Sequence, residues 1–392
     1  MPWTETHVMD ERKRFVEQAH RSLVGVAELC RRFGISRKTG YKWLERFEAH
    51  GAPGLADQSR RPHGCAHAVA AEVVEAIVTL RRQHPLYSAK KIRWYLERHQ
   101  PWWTLPSRGT IHNILCRHDL VPRRRRNPRR WHPGPPRGEA SAPNDRWSAD
   151  FKGQFLVAAR YCWPLTIQDG CSRSLLTCTG LAGPTIAATK PLFLQAFQEF
   201  GLPLRMRTDN GAPFASNALG RLSQLSVWFV TLGIYPEFIE PGKPQQNGRH
   251  ENMHGTLKKH TARPPAASWR EQQRRFDAFR IEFNTVRPNE ALGGKVPADL
   301  YRPSTRPWVR HPEPLQYPSH YETRYVSANG GIRWAHRWVC VSHLLAGHDV
   351  GLEAIADGLW DVYFGPVWLG WFVEAKQRIV DRGDRLFRRP HP

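Results

Sequence analysis

The chain has 392 residues, a formal net charge of +23 and a sequence pI near 10.3. Apolar residues make up 40% of it, so folded cores can form, and the length allows about two to four domains. So large an excess of Lys and Arg repels itself unless a polyanion neutralises it, which indicates nucleic acid or an anionic membrane as the partner. No apolar run is long enough to span a membrane, and the polar N-terminus is unlike a signal peptide. We therefore expect a nucleic-acid partner in the cytoplasm, at the nucleoid, and no membrane.

The seven cysteines are scattered and contain no Cys-x-x-Cys pair, which indicates reduced thiols in a reducing compartment. His63, Cys65 and His67 lie close together in sequence. A zinc site needs a second group of ligands, and the sequence offers none that fits. A polar loop is the better interpretation of this segment.

The first basic segment, residues 10–60, has the pattern of a helix-turn-helix. Apolar residues recur at helical spacing over 26–33, and Gly34 can supply the left-handed turn that ends this helix. Ser36 is then placed to cap a second helix that runs from 37 to about 48. The apolar residues predicted to face inward from it are Tyr41, Leu44 and Phe47.

The start of that second helix is the part that a recognition helix presents to the major groove. Its polar residues are predicted to contact DNA, although a solvated basic helix in a small bundle is the plain alternative. These residues are Arg37, Lys38, Thr39 and Lys42.

A second helical unit is predicted between Val69 and Leu120, with Ser88 and Ser107 as the caps of its second and third helices. Whether it contacts DNA or only packs against the rest of the chain is left open. An extended Arg/Pro-rich linker follows, with no acidic residue in its basic run, and we expect it to follow a phosphate backbone. The linker residues expected to bind DNA are Arg123, Arg124, Arg125, Arg126, Arg129 and Arg130.

From Asp145 the pattern changes to alternating strands. Three strands joined by short turns are predicted over 147–157, 161–169 and 173–179, and they form an antiparallel meander. A helix from Pro184 to Gly201, a buried strand, a helix over about 216–232, a strand over 234–239 and a helix from Gly248 to about Thr261 follow. This order is typical of a ribonuclease-H-like α/β core.

Three carboxylates of this core are candidate metal ligands. Asp150 lies on the first strand, and Asp209 ends the buried strand just before an Asn-Gly turn. In the inferred topology these strands are neighbours, so the two carboxylates can share a hard cation, with Glu251 on the last helix as the third ligand. Two Mg²⁺ or Mn²⁺ ions held in this way suit in-line attack of a water or a 3′-hydroxyl on a phosphodiester. Read alone, Glu251 is equally an acidic residue favoured by a helix N-terminus.

The loop and helix around Glu251 also carry residues expected to contact a phosphate backbone, because they surround a metal carboxylate with polar and basic groups. They are Asn247, Arg249, His254 and Lys258.

After this core the sequence predicts an Arg-rich helix over 269–283, with phenylalanines on its apolar face. Beyond Pro307, short strands separated by Gly, Asn or Asp indicate a small β-barrel.

Three segments resemble the catalytic motifs of the integrase-type DDE transposases, in content and in order. They are Trp147-Ser148-Ala149-Asp150, Thr208-Asp209-Asn210-Gly211 and the stretch over 244–251 that ends in Glu251. Asp169-Gly170-Cys171-Ser172-Arg173 resembles the family's Asp-x-x-Ser-Arg turn, and the segment over 284–301 resembles the region after the core in bacterial insertion-sequence transposases. The resemblance covers roughly residues 20–305.

The resemblance implies a DNA transposase that cleaves at the ends of a mobile element and transfers a 3′-hydroxyl into target DNA. It implies Asp150, Asp209 and Glu251 as the ligands of two Mg²⁺ or Mn²⁺ ions, an SH3-like C-terminal barrel and double-stranded DNA as the partner, at terminal repeats and target. Action on two ends suggests a homo-oligomer, a dimer or a tetramer. A DNA-binding regulator that no longer cuts and a ribonuclease-H-like nuclease are the alternatives.

The sequence departs from the family in the spacing of the last two carboxylates. Forty-one residues separate Asp209 from Glu251, more than the thirty-five usual in the family. Glu237 and Glu240 fit no better. Asn289 stands where the family often has His.

The predicted fold class is therefore multidomain, with all-α helix-turn-helix modules, a central α/β ribonuclease-H-like core and a small C-terminal β-barrel. The predicted boundaries are 1–62 for the helix-turn-helix domain, 66–122 for the second helical domain, 123–145 for the linker, 146–265 for the core, 266–306 for a helical extension and 318–380 for the barrel.

Overall fold

A computed structural model describes residues 7–21, 23–59, 68–121, 140–240, 246 and 248–381. The chain divides into two compact units, Met1–Ala70 and Ala71–Pro392. Within the described ranges, no helix has the length and apolar character needed to cross a membrane. The arginines of the predicted linker (Arg123, Arg124, Arg125, Arg126, Arg129 and Arg130), Asn247, and the group His63, Cys65 and His67 lie outside the described residues.

The first unit is a small helical domain. It consists of α1 (Val8–Arg21), α2 (Val26–Arg32) and α3 (Arg37–His50), followed by a 3-10 turn over Ala52–Leu55. Gly34 adopts a φ of 63° in the turn between α2 and α3, as predicted. Its buried core contains Phe15, Val16, Leu29, Cys30, Trp43 and Leu55.

The prediction that Tyr41 faces inward is wrong, because its side chain is 59% exposed. The inward position belongs to Trp43, which is buried. Gly40 explains the rotation of the helix, since a Cβ there would lie 2.4 Å from Sγ of Cys30. The close approach of α2 and α3 turns the Gly40–Trp43 side of α3 toward the core and Tyr41 toward solvent.

The second unit begins with three helices, α4 (Ala71–Gln83), α5 (Ala89–His99) and α6 (Arg108–Arg117). The predicted caps are confirmed: Ser88 accepts from the backbone N–H of Lys91, and Ser107 accepts from that of Thr110.

A six-stranded sheet follows. Its strands are β1 (Arg146–Phe151), β2 (Phe155–Val157), β3 (Arg160–Asp169), β4 (Leu175–Leu181), β5 (Arg205–Thr208) and β6 (Tyr235–Phe238). The pairing order is β2-β3-β1-β5-β6, with β4 also paired to β3. The predicted meander is confirmed, and the first strand is central as expected. The single strand predicted over 147–157 is instead two strands, because Gly153 takes a φ of 83° between them.

Five helices accompany this sheet. They are α7 (Ile186–Phe200), α8 (Gln224–Thr231), α9 (Gly248–Thr261), α10 (Trp269–Thr285) and α11 (Pro297–Leu300). The helix predicted over about 216–232 is shorter than expected, because Ser223 caps α8 with a capping box. The sheet and helices bury a large aromatic core that includes Trp147, Phe193, Phe197, Phe214 and Phe229.

The C-terminal part of this unit is all β. Its strands are β7 (Glu322–Tyr325), β8 (Gly331–Trp334), β9 (Arg337–Cys340), β10 (Asp349–Ala356), β11 (Leu359–Phe364), β12 (Val367–Val373) and β13 (Arg378–Val380). They form a five-stranded sheet in the order β13-β12-β11-β10-β7 and a separate β8-β9 hairpin. Among the described residues this pairing does not close the sheet, so the barrel part of the prediction is not confirmed.

Candidate active site

Asp150 and Asp209 lie on neighbouring parallel strands at the same level. The register of β1 against β5 pairs Trp147 with Met206 and Ser148 with Arg207. Continuing it by two residues brings Asp150 opposite Asp209, which directly follows β5. Adjacent strands are about 4.8 Å apart, so the two carboxylates meet at one edge of the sheet.

The electrostatics of the site reflect this proximity. The side chain of Asp150 is 15% exposed, and burial raises its pKa to about 7, with the charge of Asp209 as the next cause. Glu251 raises the same pKa further, whereas the charge of Lys152 lowers it. Burial also raises the pKa of Asp209, while the N–H of Gly211 opposes the shift. A bound cation would relieve the repulsion among these carboxylates, because it favours their charged forms.

Glu251 lies in the first turn of α9 and is exposed. Its charge reaches Asp150, as the raised pKa shows. Within the described ranges, however, no three His, Cys, Asp or Glu side chains are grouped closely enough to hold a metal ion. The carboxylate oxygens of Asp150 and Asp209 are ligands that suit a hard divalent cation. Glu251 lies near them but does not form a compact three-ligand group with them.

A buried histidine pair supports Asp150 from the side of α9. The Thr166 hydroxyl lies 3.1 Å from the carbonyl oxygen of Asp150, 2.6 Å from Nε2 of His250 and 2.7 Å from Nε2 of His254. The carbonyl can only accept, so Thr166 donates to it and accepts from both Nε2–H groups. Both imidazoles are therefore neutral with the proton on Nε2, and burial lowers the pKa of His250 to about 3 and that of His254 to about 2.

This hydrogen bonding leaves Nδ1 of each ring as an acceptor. Ser148 donates to Nδ1 of His250 at 2.8 Å. Nδ1 of His254 faces Oδ2 of Asp150 at 3.7 Å. The lone pair of Nδ1 and the carboxylate oxygen of Asp150 repel each other. A positive charge at Asp150, such as a metal ion, would offset this repulsion.

The two alternative carboxylates have other partners. Glu237 accepts from Arg207 and lies 3.9 Å from Arg146, and both arginines are buried. Glu240 is exposed and accepts from the side-chain amide of Gln246 at 2.8 Å. Neither carboxylate is among the groups that perturb Asp150, whereas Glu251 is.

The predicted DNA contacts in the first unit lie at the surface of α3. Arg37, Lys38 and Lys42 are exposed, and Thr39 is partly exposed with its backbone N–H bonded to Ser36. Tyr41 joins this surface, although the sequence interpretation placed it in the core.

The predicted DNA contacts on α9 differ in their exposure. Lys258 is exposed, as a phosphate contact requires. His254 was predicted to contact DNA but is only 5% exposed, because it packs against Thr166 and Asp150. It supports the carboxylate instead of forming part of the basic surface. The side chain of Arg249 is outside the described residues.

Sequence reasoning missed Ser148, Thr166 and the inward role of His250. A signal was present, since His250 and His254 are four residues apart and therefore share one face of a helix. Strand alternation also places Ser148 on the same face as Asp150.

Comparison with protein families agrees with this architecture. Residues 140–244 and 232–297 match two family models of the integrase core domain. Residues 11–63 match a helix-turn-helix domain, and residues 39–115 match a homeodomain-like domain.

Two insertion-element proteins are similar in sequence. An uncharacterized 39.2 kDa protein of insertion element IS476 from Xanthomonas euvesicatoria is 29% identical over 246 residues, 61% of this chain and 66% of that protein. An uncharacterized 31.7 kDa protein of insertion element IS407 from Burkholderia multivorans is 28% identical over 173 residues, 41% of this chain and 56% of that protein. The matches thus span less than two thirds of each relative's length.

Solved structures with similar folds include retroviral integrases. The HTLV-2 integrase catalytic core domain in complex with magnesium is 18% identical, with a TM-score of 0.34, over 42% of this chain and 100% of that one. An integrase chain of a simian T-cell lymphotropic virus intasome with the PP2A regulatory subunit B56 gamma is 17% identical, with a TM-score of 0.37, over 74% of this chain and 97% of that one. The integrase core matches and the insertion-element relatives together support a bacterial insertion-sequence transposase of the integrase-type superfamily.

Proposed function

We propose that this protein is a DNA transposase that cleaves at the ends of its mobile element and joins the freed 3′-hydroxyl to target DNA. Asp150, Asp209 and Glu251 would hold two Mg²⁺ or Mn²⁺ ions. When bound, such ions neutralise the reacting phosphate and activate the attacking water or hydroxyl. The observation that carries the proposal is the meeting of Asp150 and Asp209 at one edge of the sheet, where the charge of Asp209 raises the pKa of Asp150.

The chain's own residues contribute position and charge. Thr166 donates to the backbone carbonyl of Asp150, so this part of β1 is positioned before any ligand arrives. Burial keeps water away from the inner side of the site, where charges interact more strongly. Lys152 and the exposed Lys258 supply positive charge beside the carboxylates, as a DNA strand requires.

The proposed partner is double-stranded DNA, bound at the element ends through the exposed face of α3 and at the target through the core. The proposed assembly is a dimer or a tetramer, since two ends must be joined to one target. Asn247, Arg249 and the arginines over 123–130 remain proposed DNA contacts.

The test is a strand-transfer reaction with full-length protein, Mn²⁺ and duplexes made from the ends of the element that carries the gene. We expect Asp150→Asn, Asp209→Asn and Glu251→Gln to abolish cleavage and joining while DNA binding stays within about twofold of wild type. Glu240→Gln is the matched control and should retain both steps. Cleavage without joined product would indicate a nuclease, and full activity of Asp150→Asn would overturn the proposal.

A DNA-binding regulator that no longer cuts is the second candidate. It is favoured by one observation, that no three-group metal cluster is preformed among the described residues. The same assay separates the two, because wild-type protein would then bind the duplexes and leave them intact at every Mn²⁺ concentration.

A further inference from the structure

A cavity of about 510 Å³ lies on the flank of α9, between α5, the turn after β3 and the segment after α10. It is rich in cations and amides. The polar residues that line it include Lys91, Gln168, Arg173, Asn252, Arg287 and Glu290.

The positive charge of this cavity is incompletely balanced. Lys91, Arg173 and Arg287 contribute three cations, whereas Glu290 is the single carboxylate among the lining residues that the structure describes. Glu282 lies close enough to attract Lys91 and Arg287, but it also accepts a hydrogen bond from Tyr87. Burial and the charge of Arg287 lower the pKa of Lys91 to about 8. Burial is likewise the main cause that lowers the pKa of Arg173.

Arg173 adds an independent observation. Its Nε–H is buried and, among the residues that the structure describes, has no hydrogen-bond partner. A buried donor without a partner is costly, and a bound anion would satisfy it. The backbone of Arg173 is held beside the cavity wall, because its carbonyl accepts from the side-chain amide of Gln168 at 2.9 Å.

The cavity adjoins the carboxylate site. Asn252 directly follows Glu251, and Gln168 pairs with Ser148, two residues before Asp150 on β1. A helix with its side chains is about 10–12 Å across, and one strand of DNA carries a phosphate about every 3.4 Å of axis. A strand that passes the carboxylates therefore reaches the cavity about three nucleotides away. Met253 and Phe283 supply an apolar wall on which a sugar or base can pack.

We propose that this cavity binds a backbone phosphate of the DNA strand that crosses α9, a few nucleotides from the reacting phosphodiester. The inference rests on the proposed function for its choice of DNA. The same chemistry would accept a small phosphate compound. We assign the DNA strand because Asn252 of the cavity wall follows Glu251 on α9, and Gln168 pairs with Ser148 on the strand that carries Asp150.

The test uses full-length protein with ¹³C-labelled methionine methyl groups. The chain has four methionines. Met253 lines the cavity, and Met206 in the fully buried sheet core reports whether the fold is intact. The probes are a thymidine trinucleotide that carries only internal phosphodiesters, thymidine monophosphate and inorganic phosphate, each added without divalent metal.

We expect the trinucleotide to shift the Met253 methyl signal in a saturable way and to leave Met206 unchanged. Lys91→Gln and Arg173→Gln should each weaken that binding by about tenfold, since a charge-assisted hydrogen bond is lost. Lys376→Gln, with the same loss of charge at an exposed position in the C-terminal domain, should not weaken it.

An unmoved Met253 signal, or equal effects of Lys91→Gln and Lys376→Gln, would overturn the proposal. A shift with monophosphate or inorganic phosphate but none with the trinucleotide would reassign the cavity to a small phosphate compound. The strand-transfer assay of Asp150→Asn is read separately, so failure of the cavity and failure of the transposase assignment give different results.

Discussion

Nδ1 of His254 lies 3.7 Å from Oδ2 of Asp150, while Nε2 of the same ring donates to Thr166. The tautomer is thus set by a hydroxyl on β3, the strand beside the one that carries the carboxylate. A neutral ring with its lone pair toward Asp150 cannot neutralise that carboxylate. The compensation must come from a proton or from a cation, and this couples metal binding to protonation at the site.

Thr166→Val tests the hydroxyl that holds this arrangement. The change keeps the side-chain shape but removes the hydroxyl that bonds two buried Nε2–H donors and the Asp150 carbonyl. We expect the free energy of unfolding to fall by about 2–3 kcal/mol and Mn²⁺ binding to weaken. Urea denaturation and Mn²⁺ titration provide the measurements.

Thr189→Val is the control for this change. Thr189 is equally buried, but its hydroxyl only donates to the Thr185 carbonyl within α7. Its loss should cost less stability and leave Mn²⁺ binding unchanged. Equal effects of the two substitutions on Mn²⁺ binding would contradict the role given to Thr166.

Asp150→Asn should change the pH dependence of stability in metal-free protein. The folded-state pKa of Asp150 is about 7, above its ordinary value of 3.8. Between these values the folded state binds one more proton than the unfolded state, so stability falls as pH rises and the loss is complete above about pH 7. Asparagine has no such titration. The variant should therefore gain stability relative to wild type between pH 4 and 8, by up to about 4 kcal/mol.

The measurement is urea denaturation in EDTA at pH 5 and pH 8 for both proteins. The difference between them isolates Asp150 from the buried histidines, which lose stability in the opposite direction as pH falls. Added Mn²⁺ should stabilise wild type at pH 8 and leave Asp150→Asn unchanged. If the stability of wild type and of Asp150→Asn changed with pH in parallel, the pKa of Asp150 would not be raised in the folded state.

Much of this site was predictable because its parts follow local rules. Strand alternation and the Asn-Gly turn are enough to place Asp150 on one strand and Asp209 at the end of another. The start of α9 at Gly248 also agreed with the expected helix. The register that brings the two aspartates level was not readable, since it depends on the pairing of strands 59 residues apart in sequence.

The failed expectations have a common physical cause. Both flanks of a short polar helix look alike in sequence, and only packing against Thr166 decides that His254 faces inward. Tyr41 faces outward because Gly40 lets α3 approach Cys30, a contact between two helices. Closure of the C-terminal strands, which is not confirmed among the described residues, depends on long-range edge pairing that local strand signals do not contain.

Glu237→Gln tests whether Glu237 stabilises the fold or binds a metal ion. Its carboxylate compensates Arg207 and Arg146, which are 9% and 8% exposed. Removing the charge leaves two buried guanidinium groups facing each other, and we expect a loss of about 3–5 kcal/mol in the free energy of unfolding. Glu240→Gln, an exposed change on the same segment, should have little effect. Intact stability of Glu237→Gln together with lost Mn²⁺ binding would instead make Glu237 a ligand.

Glu282→Gln tests how the helical module of α4–α6 is joined to α10. Glu282 lies 3.3 Å from the Tyr87 hydroxyl and 3.2 Å from Nδ1 of His84. Its carboxylate also lies 3.8 Å from Nδ1 of His260, and its charge opposes the burial that lowers the pKa of Arg287. Its neutralisation should loosen the module without unfolding the sheet, because the weakened interactions all lie on this one side of α10.

Amide hydrogen exchange provides the measurement for this variant. We expect exchange in α4–α6 to accelerate by about tenfold or more, as loss of a buried charge partner implies, while β1 and β3 stay protected. Glu271→Gln, a half-buried glutamate on the first turn of the same helix that pairs with Arg274, is the control. Equal acceleration in β1 would show that the module and the sheet open as one cooperative unit, and Glu282 would then stabilise the whole second unit instead of a local joint.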